Sequence, residues 1–148
     1  MVLLQNFCIE DSVILYQQNR FQMSPDAIQK MITEWNTKLF NNKYYEMFAI
    51  INENRIVGTL SLYEHSSSVI SIGPEIFPEY RELGFAFLAM ETAITIAKGK
   101  GYKIVSQQIR TNNIASLKLH VKLGFETDNY VYKNRRGNDV LIFLKNLT

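Results

Sequence analysis

Phe77-Pro78-Glu79-Tyr80-Arg81-Glu82-Leu83-Gly84-Phe85-Ala86 is the stretch on which the fold turns. An extended run from Val69 to Phe77 enters it, and a long apolar helix leaves it. The first-turn N–H groups of a helix have no acceptors within the helix, and the helix dipole adds partial positive charge there. A turn between a strand and a helix start is therefore a ready anion site, and a phosphate is the anion to look for. Gly84 keeps a Cβ out of the approach, and small Ala86 lets the helix start sit close to such a group. Alone, the pattern Q/R-x-x-G-x-G/A carried by Arg81 to Ala86 more often describes a helix that opens on glycine because its turn is tight. Strand, irregularity, turn and buried helix in that order favour the anion site.

Downstream, the helix from Gly84 to Lys98 is apolar on nearly every side, with Glu91, Thr95 and Lys98 as its one polar line, so it packs against a sheet. Gly99 and Gly101 stop it, and Lys103 to Arg110 is the next strand. A strand, a helix and a strand in succession predict two parallel strands. A second helix follows, capped by Asn112 or Asn113 and stopped at Gly124; Phe125 to Tyr132 and Val140 to Leu147 read as the last strands. Arg135-Arg136 falls at the tip between them, as a solvated turn or as a cation pair for an acidic group.

Upstream of the key stretch, Gly73-Pro74 interrupts the strand from Val69, and proline in a strand implies an edge, a bulge or a break in pairing. Tyr45 to Ile51 and Ile56 to Tyr63 read as a hairpin about Asn52-Glu53-Asn54-Arg55, and Ser66-Ser67-Ser68 as a second turn. Ser24-Pro25-Asp26 starts a helix whose apolar spacing of Ile28, Met31, Ile32, Trp35 and Leu39 carries it to about Leu39, where Asn41-Asn42 ends it. A brief first strand over Val2 to Cys8 and a short helix over Asp11 to Asn19 complete the N-terminal third.

Bulk properties narrow the function. The 148 residues, 47% hydrophobic and 20% charged, predict one domain over residues 1–148 with a sizeable core. A net charge of +2 is too mild and dispersed to argue for nucleic acid. Single Cys8 excludes an intrachain disulfide, and with two His and no CxxC or HxxxH spacing nothing suggests a metal site. The N-terminus does not read as a signal peptide, and no run approaches the roughly 20 apolar residues of a membrane span. A cytoplasmic protein without membrane or metal is the expectation.

Asn113, Ser116, Leu117 and His120 share one helical stripe, with Lys118 and Lys122 on another. Read by themselves, Asn113 caps, Ser116 permits close packing, and His120 is as readily a satisfied, partly buried ring as a functional one. Tyr44, Tyr45, Tyr63 and Trp35 fit an acceptor pocket or, as aromatic residues more often do, the core.

Ile76-x-Pro-x-Tyr-Arg-x-x-Gly-x-Ala, the buried helix, the strand ending Gln108-Ile109-Arg110, and Asn113-x-x-Ser-x-x-Leu-His-Val-Lys-Leu-Gly-Phe125 together resemble the GNAT superfamily of N-acetyltransferases from about Val69 to Phe125. The resemblance implies an α/β (α+β) fold, a mixed and mostly antiparallel sheet of about six or seven strands flanked by about four helices, with parallel fourth and fifth strands that splay apart. It implies acetyl-CoA as cosubstrate, held by Glu75, Ile76 and Phe77 along the pantetheine arm and by Arg81, Glu82, Leu83, Gly84, Phe85, Ala86 and Phe87 around the pyrophosphate, with Asn113 and Ser116 approaching from the other strand. The implied reaction is direct attack of a primary amine, on a small molecule or peptide, on the thioester, a backbone N–H of the fourth strand stabilising the oxyanion. A homodimer is compatible with the resemblance.

Two positions depart from the pattern. Many members carry Tyr where this chain has His120, and that Tyr protonates the departing thiolate; His also donates a proton, with an ordinary pKa of ~6.5 against ~10. Members that acetylate protein N-termini often carry Glu where this chain has Gln108, which cannot act as a base. Glu75 is the nearest carboxylate by sequence, as a base acting through water or as a solvated strand-end residue. The alternative function is a CoA-binding regulatory or structural module without turnover. An unrelated nucleotide-binding protein lacks support, because the P-loop ending and the triple-glycine fingerprint are absent.

Overall fold

The computed structural model of the chain describes residues 1–18 and 22–148. Nine strands form one mixed sheet among those residues. Its order is β1 (Leu3–Asn6), β3 (Lys43–Asn52), β4 (Arg55–Glu64), β5 (Val69–Ile76), β6 (Ile104–Arg110), β9 (Asp139–Asn146) and β7 (Glu126–Thr127). Two-residue strands β2 (Leu39–Phe40) and β8 (Tyr132–Lys133) attach to β3 and β9. All pairings are antiparallel except β5 with β6, the expected parallel fourth and fifth strands. Helices α1 (Ser12–Gln17) and α2 (Pro25–Trp35) cover one face, α3 (Phe85–Gly99) and α4 (Ile114–Lys122) the other. None of the described helices is long and apolar enough to cross a membrane.

Alternation along the strands sorts the core into two layers. Phe48, Ile50, Leu60, Leu62, Ile70, Ile72 and Val105 meet Ala89, Met90, Ala93 and Ala97 of α3. Ala49 and Phe77, one step out of phase, meet Phe7, Leu15, Ile28 and Ile32 on the α1–α2 side. Ser24 caps α2 by accepting the Ala27 N–H at 3.2 Å, with Pro25 at the first helical position.

The parallel pair is short. β5 and β6 share only the registers Val69↔Ile104 and Ile70↔Val105. Beyond them β5 stays on β4 as far as Gly58↔Ile76, and β6 stays on β9 as far as Arg110↔Val140. The two strands therefore diverge, and a cleft opens between them. Pro74 produces its break on the β6 side alone, since Leu60↔Pro74 is in register with β4.

The structure corrects three local readings. Helix α2 ends at Trp35, four residues short of Leu39, because Leu39–Phe40 pairs with Lys43–Tyr44 as β2. Asn41 and Asn42, at φ 51° and 63°, form the two-residue turn of that hairpin, where positive φ at both positions suits the strand twist. The segment Phe125 to Tyr132 is not one strand: Asp128 Oδ1 accepts the Tyr130 N–H at 2.9 Å and Asn129 takes φ 61°, so a loop separates β7 from β8. At the N-terminus, a 3-10 turn over Ile9–Asp11 precedes α1, and the expected end of that helix at Asn19 lies outside the described residues.

The β3–β4 register shifts between Ile50 and Ile51, next to Gly58, which pairs with Ile76 of β5. A Cβ on Gly58 would lie 2.2 Å from the Glu75 carbonyl oxygen and 2.9 Å from the Ile76 Cα, both backbone atoms. Gly58→Ala should therefore destabilise the protein by at least about 2 kcal/mol in urea titration, well above the cost of an ordinary surface change. A loss below about 0.5 kcal/mol would show that β4 and β5 do not approach this closely.

Candidate active site

The turn expected to receive an anion is built by backbone conformation. Gly84 precedes α3 at φ 85°, ψ 5°, a left-handed geometry that glycine adopts without penalty, and Glu82 is held at φ 65°. No side chain caps α3, and its first internal bond runs from the Leu88 N–H to the Gly84 carbonyl at 3.3 Å. The N–H groups of Phe85, Ala86 and Phe87 consequently lack acceptors within the helix. A Cβ on Gly84 would meet no heavy atom within 4 Å, so the turn faces open space. Arg81 Nε donates to the Ile76 carbonyl at 3.2 Å and ties this loop to the end of β5.

The same turn opens onto the cleft between β5 and β6, a cavity of about 1370 Å³. Its walls bring together Glu75, Ile76, Arg81, Glu82, Gly84, Phe85, Ala86, Phe87, Asn113, Ser116 and His120. Phe77 and Leu83 are not among them. Phe77 gives its N–H to the Val57 carbonyl at 2.8 Å and buries its ring in the opposite layer, while Leu83 projects into solvent. Asn113 caps α4, its Oδ1 accepting the Ser116 N–H at 3.2 Å, which leaves its amide nitrogen as the polar atom for a ligand.

At the vertex of the cleft, Gln107 replaces the missing ladder. Its Oε1 accepts the Ile72 N–H at 2.9 Å, and its Nε2 donates to the Ile72 carbonyl at 2.6 Å. The backbone of Ile72 thus faces β6, and by the two-residue repeat so do those of Pro74 and Ile76. Proline has no N–H, and the Ile72 N–H is committed to Gln107. Among the described residues, the β5 donor left facing the cleft is therefore the Ile76 N–H.

The second hydrogen of Gln107 Nε2 points at His120 Nε2, 3.2 Å away, while His120 Nδ1 lies 2.7 Å from the Ser116 carbonyl. A carbonyl only accepts, so Nδ1 carries the proton and Nε2 accepts from Gln107. The ring is 2% exposed and packs edge-on against Phe125 at 4.9 Å and beside Phe143 at 5.8 Å. Burial lowers its pKa below the usual imidazole value, the bond to Ser116 opposing only in part. A neutral ring whose one N–H is already donated has no proton to give a thiolate without first breaking the Ser116 bond. His120, expected as the acid, thus has both ring nitrogens engaged, Nδ1 by the Ser116 carbonyl and Nε2 by Gln107.

Sequence reasoning passed over Gln107 and a second cluster. On the sheet face away from α3, His65 Nε2 lies 2.6 Å from Ser71 Oγ, Ser71 Oγ in turn donates to the Ser106 carbonyl, and His65, Ser71 and Ser106 all line the cleft. One local signal existed for Gln107: it breaks the inward series Val105, Gln107, Ile109. Gln108, the position the resemblance singled out, is exposed on the opposite face and also lines the cleft. Of the aromatic candidates, Tyr63 lines the cleft, Tyr44 and Tyr45 border a neighbouring cavity of about 430 Å³ that Tyr63 shares, and Trp35 packs on Phe7 at 5.5 Å. Arg135 and Arg136 are exposed at the β8–β9 turn. No group of three or more His, Cys, Asp or Glu among the described residues is placed to hold a metal ion.

Residues 11–125 match the model of the acetyltransferase (GNAT) family. No curated protein matches the sequence. Among solved structures, RimL, the ribosomal L7/L12 alpha-N-protein acetyltransferase in complex with coenzyme A, superposes with TM-score 0.83 at 16% identity over 98% of this chain and 93% of its own. The microcin C7 self-immunity acetyltransferase MccE, in complex with acetyl-CoA and AMP, gives 0.80 at 17% identity over 98% and 92%. A dodecameric spermidine N-acetyltransferase from Vibrio cholerae gives 0.79 at 15% identity over 99% and 94%. At these identities the structural likeness is one of fold.

The buried state of His120 links protonation to stability. With its folded pKa below the unfolded value of ~6.5, the unfolded chain binds more protons between the two, so stability rises with pH across that window. The contribution is complete above about pH 6.5 and is lost as pH falls through the folded pKa. Unfolding free energies measured from about pH 7.5 down to about pH 5 should therefore fall more for the wild type than for His120→Gln. Parallel pH dependences would contradict a buried neutral ring.

Proposed function

Since the chain belongs to the acetyltransferase (GNAT) family, we propose that it is an acetyl-CoA-dependent N-acetyltransferase acting on a primary amine of a small molecule or peptide. The observation that carries this reading is the opening of the uncapped α3 start onto the same cleft as the parted strands β5 and β6. One wall offers donors for a pyrophosphate; the other offers an extended backbone edge for an amide-bearing arm.

In this reading the backbone from Glu82 to Phe87 takes the phosphates, and Arg81 braces that loop against Ile76. Ile76, with its N–H turned to the cleft, holds the pantetheine arm, and Asn113 and Ser116 close on the ligand from the α4 side. Bound acetyl-CoA supplies a thioester carbonyl that an amine attacks with departure of the CoA thiol. Gln107 keeps the strands apart and fixes the His120 ring, which positions α4 against the vertex. Glu75 also lines the cleft and is the carboxylate through which a proton released in the reaction can pass to water. Residues 1–148 act as one acyl-CoA N-acyltransferase domain in a cytoplasmic setting, in keeping with a single free Cys8, and a homodimer is compatible with this reading.

One observation favours a second reading, a CoA-binding module without turnover: Pro74 and the Gln107-bonded Ile72 withdraw two of the cleft-facing positions from oxyanion stabilisation. A thiol-release assay separates the two. The enzyme reading expects CoA thiol and N-acetylated amine in equal amounts from at least one of spermidine, lysine, kanamycin or a peptide N-terminus. The module reading expects acetyl-CoA binding alone.

Isothermal titration should show acetyl-CoA binding to the wild type and an affinity about tenfold weaker for Gly84→Val, because a β-branched residue is strained by roughly 1–2 kcal/mol in the left-handed geometry. No binding by the wild type would remove the basis of the proposal. Equal affinities would mean that the ligand does not use the Gly84 turn.

A further inference from the structure

The cleft has two ends. Five residue steps of extended chain, about 17 Å, separate Ser71 at the vertex from Ile76 beside the anion-binding turn. At the vertex, on the face opposite α3, stands an imidazole that the reading above leaves without a task. The geometry points to His65 as the base that takes the proton from the acceptor's ammonium group, a role that rests on the acetyltransferase reading of this cleft.

Hydrogen-bond direction dictates the form of the ring. The Ser106 carbonyl can only accept, so the single hydroxyl proton of Ser71 goes to it. Ser71 Oγ then has lone pairs alone to offer His65 Nε2 at 2.6 Å, and Nε2 must carry the ring's proton. In the neutral ring this leaves Nδ1 as a lone-pair acceptor, and it has no partner among the described residues. His120 has the reverse arrangement, protonated on Nδ1, accepting at Nε2 and buried. Of the two imidazoles that line the cleft, His65 is thus the one with a vacant acceptor nitrogen, and it is the exposed one.

The ring is also held in place, as a base must be. The His65 backbone N–H closes the turn on the Val69 carbonyl at 2.8 Å, Lys43 Nζ donates to the His65 backbone carbonyl at 2.8 Å, and Tyr63 packs edge-on against the ring at 5.2 Å. Among the described residues, Lys43 from β3, Tyr63 from β4, and the neutral hydroxyl of Ser71 on β5 are the titratable and polar groups in contact with His65; neighbouring Glu64 accepts the Tyr102 hydroxyl at 2.8 Å. A base oriented by a hydroxyl that is itself oriented by a carbonyl follows the logic of nucleophile-activating relays.

The step balances. One ammonium proton passes to His65 Nδ1; the freed nitrogen pair forms the bond to the acetyl carbon; the carbon–sulfur bond breaks with its electrons on sulfur. A second proton from nitrogen goes to that sulfur, and His65 returns its proton to solvent. Amide, thiol and one proton are the products. The substrate class is an alkylammonium that reaches the sheet face opposite α3.

Two measurements test the assignment. The first needs no turnover: imidazole nitrogen shifts in the free protein should show His65 as the Nε2-protonated tautomer, a preference weakened in Ser71→Ala, and an Nδ1-protonated His65 would overturn the proposal. In the second, His65→Gln should bind acetyl-CoA like the wild type but lose about a hundredfold in kcat/KM with the best acceptor among spermidine, lysine, kanamycin and a serine-initial peptide, together with the acid limb of the pH profile. A variant within about threefold of wild type and with the same pH profile would also overturn it. Failure of the wild type to bind acetyl-CoA removes the underlying reading as well. Binding without thiol release from any acceptor rejects the base and leaves the cofactor site standing.

Discussion

The amide of Gln107 is the constraint on which the rest of this architecture depends. Two strands running in parallel would ordinarily continue their ladder, and each polar group left unpaired inside the protein would cost about 1–3 kcal/mol. Here the ladder stops after Ile70↔Val105, and Gln107 satisfies both the N–H and the carbonyl of Ile72 from a side chain. The strands part without an orphaned Ile72. Pro74, which has no N–H to lose, stands two residues further along the same edge, so the opening is built from a residue that substitutes for the ladder and one that never needed it.

That parting organises the chemistry. It directs the Ile76 N–H into a cleft that ends at the uncapped start of α3, and it brings two imidazoles to the vertex in opposite hydrogen-bonding states. His120 is drawn inward, its second nitrogen filled by the same Gln107 amide, and burial keeps it neutral. His65 stays on the open face with one nitrogen anchored through Ser71. Elsewhere the sheet manages buried charge by pairing: Glu46, 5% exposed, would be raised in pKa by burial, yet bonds from Tyr44 and Asn6 and the Lys38 ammonium at 3.4 Å bring it below the usual value. Tyr102, against Glu64, is pushed up to about 12, chiefly by burial.

Much of the fold, and most of the expected residues that come to line the cleft, could be read along the chain because their causes are local. Pro74 announces a break, Gly84 a left-handed turn, and the apolar run after it a buried helix; Asn113 and Gly124 bracket α4 as their chemistry demands. The stripe Asn113, Ser116, His120 followed from helical period alone. What stayed hidden is relational. Asn41-Asn42 looked like a helix stop because nothing nearby says that Leu39–Phe40 would fold back on Lys43–Tyr44. Gln107 finds its partner 35 positions away, and the ring of His120 is placed by Gln107, Phe125 and Phe143. The relay from His65 to Ser106 crosses two strands that sequence order separates by a whole helix.

In the proposed function acetyl-CoA occupies the cleft between β5 and β6 with its phosphates on the start of α3. Amide hydrogen exchange with and without acetyl-CoA tests it most directly. Binding there gives new protection at Ile76 and across Glu82 to Phe87, with Ile72 slow in both states because Gln107 already holds its N–H. Protection that appears elsewhere and spares these amides would contradict it.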